Sequence, residues 1–299
     1  MRYPRLRYFT KEDWRFASDA VLMCFYMKQP HQRIAKAVVR ALEVLRARMK
    51  PEQFKWYTAP DGYMYSLDDS RWEQLREDLL GSDEAAVPRL NGAQYIGGFF
   101  VDYRGLPLSI AYPARKEDVS ALFVTLPTEY LEDRGAANVR TLALEMAEQL
   151  PFNSGHVDMA LCQADLLERE ELEPVRTRYP GLHLASNEPD IQLGTRIEGT
   201  HWLNFLGQPV LGELGGINRL REHLALPGVS IEEMSGDRAL VSLGEWPTLG
   251  NAEETSTLPL HRALARLLAP HLYHRQWQFR GMSPEELLRW ERRFLDDPA

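Results

Sequence analysis

The chain has 299 residues, of which 44% are apolar and 10% aromatic, so it can bury a large hydrophobic core. Its formal net charge of −8 argues against a general nucleic-acid binder, which needs a basic surface, and favours a basic protein partner. The longest apolar runs, such as residues 20–27, are too short to span a bilayer, and the first residues carry no secretory signal. We therefore expect a cytoplasmic globular protein, one domain over 1–299 with possible subdomains 1–195 and 196–299.

The two cysteines, Cys24 and Cys162, each lie in an apolar run of strand length. Their number alone permits one disulfide. A reducing cytoplasm favours the other interpretation, two buried free thiols.

The first half of the chain alternates between helical and strand-like patterns. Helices are indicated by apolar residues that recur on one face, and strands by short apolar runs between turn residues. In chain order the sequence predicts a strand at 19–28, a helix at 31–49, a hairpin at 55–66 that turns at Pro60, Asp61 and Gly62, a helix at 67–80, strands at 95–103, 108–112 and 121–126, and a helix at 135–150. The three consecutive strands favour an antiparallel meander.

The second half continues without a regular strand–helix–strand rhythm. Its last helix has a clear start, because Ser283 can cap it, Pro284 suits its first position and Glu286 completes a capping box. We predict a strand at 155–164, a helix at 168–179, a loop at 184–194, a strand at 202–206, a helical turn at 209–214, a helix at 217–224, a hairpin of 229–234 and 238–243, a helix at 258–268, and the last helix with Leu287, Leu288 and Leu295 on its apolar face. This order predicts an α+β fold, mainly antiparallel sheets with helices packed on them.

Two residue groups invite a ligand-binding interpretation that their spacing does not support. Gly212, Gly215 and Gly216 precede a helix, but they match neither a dinucleotide fingerprint nor a P-loop, and a tight turn is favoured. His271 and His274 are close in sequence, yet no third ligand follows at a metal-binding spacing. We therefore expect no metal and no cofactor.

An enzymatic alternative rests on His156 and Asp158. These residues alternate along the predicted strand at 155–164 and so share a face, where they could perform acid–base chemistry. Ser154 is the nearest hydroxyl, but the chain has no Gly-x-Ser-x-Gly elbow. An enzyme that uses His156 and Asp158 remains the second hypothesis.

Acidic residues concentrate in two short segments. Solvated surface is the usual interpretation of such charges, and an acidic patch that meets a basic surface of a partner protein is the functional one. The residues are Glu168, Glu170, Glu171 and Glu173 in the first segment and Glu253 and Glu254 in the second.

Three stretches resemble a known family. They are RYPGL at 178–182, RIEGTHWLNFLGQPVLGELGG at 196–216 and GEWPTLG at 244–250. Together they resemble the immunity proteins paired with type VI secreted nuclease toxins, notably toxins of the VRR-NUC class and related restriction-like nucleases. The family motif looks structural, and the residues that we interpret as fold-defining are Trp202, Asn204, Phe205, Gly207, Gly215 and Gly216.

The resemblance implies a non-catalytic protector whose partner is a cognate nuclease effector. Such a protein binds the toxin in the producing cell and covers its active site or blocks its assembly. The acidic, globular character of the chain and its lack of a recognisable active site agree with this function. An adaptor component of the secretion apparatus is a third hypothesis.

Overall fold

The computed structural model describes residues 2–59, 62–81, 89–107, 115–186, 190–251, 258–275 and 279–296. Within these ranges, twelve strands form a single sheet. The strands are β1 (Arg7–Phe9), β2 (Arg15–Met27), β3 (Trp56–Thr58), β4 (Met64–Ser66), β5 (Arg89–Asn91), β6 (Phe100–Arg104), β7 (Ser120–Leu126), β8 (Ser154–Cys162), β9 (His183–Leu184), β10 (Leu203–Leu206), β11 (Val229–Met234) and β12 (Arg238–Leu243).

Nine α-helices accompany the sheet in the same described ranges. They are α1 (His31–Arg48), α2 (Asp69–Gly81), α3 (Thr128–Arg134), α4 (Ala136–Gln149), α5 (Arg169–Arg178), α6 (Val210–Glu213), α7 (Gly216–His223), α8 (Pro259–Leu268) and α9 (Pro284–Glu291). None of them is both long enough and apolar enough to cross a membrane.

The sheet is antiparallel apart from one short pair. Its main path runs β11-β12-β10-β8-β2-β7-β6-β5-β3-β4, while β1 pairs with β2 and β9 pairs in parallel with β8. Strands from the beginning and the end of the chain are therefore hydrogen-bonded within one sheet, and β8 joins β2 to β10. The predicted α+β class with antiparallel strands is confirmed, and the division at 195 and 196 stays a prediction.

The central strand β2 is buried on both faces. Val21, Met23 and Phe25 point into the main core, where they join apolar residues of α1 and α4. Leu22 and Cys24, which alternate with them, belong to a separate cluster on the other face. This double burial explains the unbroken apolar run of the sequence, because neither face of the strand meets water. Cys24 and Cys162 are free thiols.

The C-terminal part of the chain builds a second apolar cluster. Ala239, Val241 and Leu243 of β12 pack with Leu264 and Leu268 of α8. The opposite side of β12 contributes Leu240 to the main core, so the strand separates two clusters.

Several predicted elements need correction. The strand predicted at 95–103 begins only at Phe100, because the backbone bends at 93 and over 95–99 before it. Leu288 is 45% exposed instead of buried, because Leu287 and Trp290 are the residues of α9 that point inwards. The strand predicted at 108–112 and the turn residues Pro60 and Asp61 lie outside the described residues.

Phe205 offers a test of the core. Its ring is fully buried and meets the rings of Phe25 and Phe152 edge-on, with centroids 5.3 and 5.7 Å away. We expect Phe205→Ala to lower the free energy of unfolding by about 3–5 kcal/mol, because it leaves a cavity between the two rings. Phe9→Ala, at a position that is 46% exposed, should cost less than about 1 kcal/mol. Urea denaturation measures both, and equal losses would contradict this packing.

Candidate functional site

Three buried histidines meet on the face of β8 opposite the main core. His156 lies on β8, His183 on the neighbouring strand β9, and His201 in the segment that leads into β10. The rings of His156 and His201 stack with centroids 3.9 Å apart, and His183 lies 5.1 Å from the first and 4.9 Å from the second. We call these three residues the histidine cluster.

An acidic side chain connects two of these imidazoles. Glu198 places its Oε2 atom 3.8 Å from Nδ1 of His156 and its Oε1 atom 3.7 Å from Nε2 of His183. The guanidinium of Arg275 approaches Oε1 at 2.5 Å, and the hydroxyl of Tyr26 donates a hydrogen bond to Oε2. Glu198 is therefore held in place by a cation and a hydroxyl donor.

Asp158 is the acidic side chain that contacts His201. Its Oδ2 atom lies 3.5 Å from Nδ1 of His201 and accepts a hydrogen bond from the backbone N–H of Trp202 at 3.0 Å. Oδ1 accepts from the backbone N–H of Met159 at 2.8 Å. The carboxylate that shares a strand face with His156 thus contacts another histidine more directly.

Burial dominates the ionisation of the cluster. It lowers the pKa of His156 and of His201 to about 3, and it lowers the pKa of His183 well below its ordinary value. Burial also raises the pKa of Asp158 to about 6. For Glu198, burial acts in the raising direction, but Arg275 and the nearby imidazoles hold its pKa far below the usual range. Near neutral pH the imidazoles are neutral and Glu198 is charged.

The cluster has the donor set of a metal site. One nitrogen from each histidine lies within 4.8 Å of the others. Among the described residues, the Nε2 atoms of His156 and His201 have no hydrogen-bond partner, and neither has the buried hydroxyl of Thr200. A cavity of about 30 Å³ adjoins His183, Glu198, Thr200 and His201. The polar atoms around it remain able to bind a small ligand.

Ser154 does not complete a catalytic arrangement with His156 and Asp158. Its hydroxyl donates to the backbone carbonyl of Arg196 at 3.1 Å. Both oxygens of Asp158 accept backbone N–H groups. The pair is built into the interior of the sheet, and the enzymatic alternative stays a prediction.

The acidic residues of the first predicted segment lie at the start of α5. Glu168 is 3.3 Å from Arg280, and Glu173 is 4.0 Å from Arg176. Glu171 accepts a hydrogen bond from the backbone N–H of Glu168 and so completes a capping box. Glu170 is exposed. The other two residues of the prediction, Glu253 and Glu254, lie outside the described residues.

The residues interpreted as fold-defining lie where packing and turns are tight. Trp202 is fully buried, and its indole N–H donates to the carbonyl of Gly244. Asn204 accepts from the backbone N–H of His201 and donates to the carbonyl of the same residue. A Cβ atom at Gly207 would meet the carbonyl oxygen of Phe152 at 2.5 Å. Gly215 and Gly216 have φ values of 88° and 80°, which suit the turn into α7.

A different surface collects exposed apolar side chains. Trp56 opposes Asn91, which in turn opposes Phe100, so the three share one face of the sheet. Met64, opposite Thr58, lies on the same face, and Tyr95 packs edge-on against Phe100 at 4.9 Å. We call Trp56, Met64 and Tyr95, which are 38, 59 and 46% exposed, the aromatic patch.

The family of the chain is given by its sequence. A family model described as type VI immunity for VRR-NUC, TsiV, matches residues 37–294. The chain belongs to this family. The resemblance noted in the sequence is thereby confirmed.

A solved structure agrees with the TsiV fold. The T6SS protein PA0821 of Pseudomonas aeruginosa aligns with a TM-score of 0.78 and 18% sequence identity, over 97% of this chain and 87% of that chain. At this identity the likeness establishes the fold alone. No curated protein sequence matches the chain significantly.

Sequence reasoning missed most of the histidine cluster in this TsiV chain. The sequence predicts a candidate role for His156 alone, whereas Glu198 and His201 lie in the resembling stretch at 196–216 without an assigned role, and neither His183 nor Arg275 is predicted. No short spacing relates these residues, because they come from separate strands and segments. The available signal was the pair Glu198 and His201, two ionisable residues within a stretch that otherwise packs.

His261 provides a test of how burial changes the ionisation of a histidine in this TsiV protein. Burial lowers its pKa to about 4, with Asp158 opposing the decrease and His201 and Arg293 adding to it. In the unfolded chain the imidazole titrates near pH 6.5. Between these values the unfolded state binds a proton that the folded state lacks, so His261 makes the wild type less stable as pH falls.

We expect His261→Leu to remove this pH-dependent contribution. The difference in unfolding free energy between wild type and variant should shift by about 2 kcal/mol, to the disadvantage of the wild type, between pH 7 and pH 5. Urea denaturation at the two pH values measures it, with His223→Leu at an exposed position as the control. If the difference in unfolding free energy between wild type and variant does not change with pH, His261 is not held neutral by burial in the folded protein.

Proposed function

We propose that the protein neutralises a VRR-NUC nuclease toxin by binding it directly in the cytoplasm of the cell that produces the toxin. Membership of the TsiV family over residues 37–294 carries this proposal. The family description names type VI immunity and the VRR-NUC class, and an immunity protein acts on a protein partner.

Charge supports an inhibitor that competes with DNA. A nuclease must offer a basic surface to the phosphates of its substrate. This chain carries a formal charge of −8, so it is attracted to the same surface and can cover it. We therefore favour occlusion of the active site over blocked assembly of the toxin.

The aromatic patch is the better candidate for the centre of the interface. Trp and Tyr dominate binding energy at protein interfaces, because they bury a large area at small cost in side-chain entropy. Trp56 and Tyr95 are two of the five exposed aromatic side chains among the described residues, and the others are Phe9, Trp14 and Tyr63. A cleft lined by Tyr95, Phe100, Arg89 and Asp102 borders the patch and can receive a side chain of the partner.

The acidic residues of α5 are better suited to steering. Glu168 and Glu173 already face arginines, and such exposed pairs contribute little to stability or affinity. Exposed Glu170 adds to the field that attracts a basic toxin. Charges of this kind mainly raise the association rate.

The first test is a titration of nuclease activity. A VRR-NUC nuclease from the genome that encodes this chain is purified and mixed with increasing amounts of the chain, and plasmid cleavage is measured. We expect cleavage to fall to background near one chain per toxin, with a stable complex in size-exclusion chromatography. Undiminished cleavage at a large excess, without a complex, contradicts direct neutralisation of that toxin.

The second test distinguishes the role of the aromatic patch from that of the acidic residues of α5. We expect Trp56→Ala to weaken toxin binding by about thirtyfold, mainly through faster dissociation, as removal of an interface anchor does. Leu226→Ala is the matched control, since Leu226 is 40% exposed near β11, at the opposite end of the sheet. Glu170→Lys should slow association at low salt and leave dissociation unchanged. Surface plasmon resonance gives both rates.

If Trp56→Ala and Leu226→Ala weaken toxin binding equally, the aromatic patch is not the centre of the interface. This result would leave neutralisation itself intact, because the activity titration tests that separately.

A further inference from the structure

The proposed function assigns no role to the histidine cluster. Its three side chains are buried, and it lies in the interior of the sheet rather than on an exposed surface. We propose that His156, His183 and His201, together with the carboxylate of Glu198, bind one zinc ion that fastens β9 and the segment before β10 to β8.

The donor atoms of three imidazoles lie together, and a carboxylate lies beside two of them. The three imidazoles present nitrogens within 4.8 Å of one another, and the oxygens of Glu198 lie 3.7–3.8 Å from two of these rings. Zinc–nitrogen bonds of about 2.0–2.1 Å in a tetrahedron place neighbouring nitrogens roughly 3.4 Å apart. The rings of His156 and His201 stack at an interplanar angle of 16°, so they must turn towards each other when both nitrogens bind one ion, because the nitrogen lone pair lies in the ring plane.

The surroundings resemble the outer shell of a metal site. Ligating histidines usually direct their other nitrogen to a carboxylate, and ligating carboxylates are themselves hydrogen-bonded. His201 directs Nδ1 toward Asp158 at 3.5 Å, which leaves Nε2 without a partner among the described residues. Tyr26 and Arg275 hold Glu198 in a fixed orientation.

The state of the ligands and the access to them also fit a metal. An imidazole binds a cation through a nitrogen that carries no proton, and the unpartnered Nε2 atoms of His156 and His201 are such candidates among the described residues. The 30 Å³ cavity beside His183 and His201 can hold a single ion or water molecule. His183 and Glu198 also line the open cleft of about 320 Å³, which provides a path from solvent.

The choice of zinc follows from the ligands. Three imidazoles and one carboxylate give nitrogen and oxygen donors that suit zinc and bind magnesium or calcium poorly. A site enclosed by protein ligands is typical of a structural rather than a catalytic ion. The alternative without a metal is that one ordered water molecule bridges the unpartnered Nε2 atoms of His156 and His201.

The experiment uses the untagged full-length chain, so that no added histidines bind metal. The protein is stripped with a chelator, dialysed against Zn²⁺ alone and analysed by elemental mass spectrometry. We expect one zinc per chain, a higher melting temperature with zinc than with chelator, and an absorption spectrum typical of tetrahedral coordination when Co²⁺ replaces zinc.

Variants then locate the ion. His183→Gln should weaken zinc affinity by about a hundredfold or more, since it removes a ligand. His261→Gln is the matched control, because it removes another buried imidazole that lies outside the cluster, and it should keep one zinc per chain. Circular dichroism verifies that both variants fold. If His183→Gln does not fold, the zinc content and the melting temperature of the wild type still test the proposal.

The proposal is wrong if the wild type retains no zinc and its melting temperature is the same with zinc and with chelator. It is equally wrong if His183→Gln folds and binds zinc as tightly as His261→Gln does. The first of these results would leave a water-filled polar cluster as the interpretation of the site.

Discussion

The buried ion pair between Glu198 and Arg275 is the constraint on which the arrangement around the histidine cluster depends. Both side chains are 7% exposed and approach within 2.5 Å. Removing either partner from such a pair costs about 3–5 kcal/mol, because the other charge stays buried alone. Glu198 precedes β10, and Arg275 follows α8. Backbone hydrogen bonds that link Ile197 to His271 and Tyr273 run beside the pair, so the charges and the main chain fix the same connection.

The alternation of β8 explains how apolar and polar interiors coexist in one sheet. Val157 and Met159 point into the main core, and His156 and Asp158 point to the other face. Buried polar groups need partners, and the opposite face supplies them from β9, from the segment before β10 and from the C-terminal part of the chain. A one-residue shift of register would place the charges among the helices, so the polar residues also specify the pairing of β8. The polar cluster is thus part of what selects this topology.

The accuracy of the sequence-based prediction depended on whether a signal was local. The hairpin of Val229–Met234 and Arg238–Leu243 and the start of α9 at Ser283 were predicted correctly, because turn and capping residues act within a few positions. Strand β5 and helix α3 were not predicted, since each is short and carries no periodic pattern of its own. The histidine cluster depends on strand order, and nothing in a single sequence places β9 beside β8. His156 was noticed, but its partners were not.

The buried polar residues and the exposed aromatic patch also have separate proposed roles. A small set of ionisable groups lies inside, where Glu198, Arg275 and the histidine cluster stabilise one connection of the fold. The aromatic patch is outside, at the other end of the sheet from β11 and β12. An inhibitor needs no reactive group, but it needs a rigid surface, because ordering side chains on binding lowers affinity. A polar interior that fixes strand pairing supports such rigidity. The buried polar groups of this chain are therefore interpreted first by the strand pairing that they fix, because their partners come from the neighbouring strands and segments.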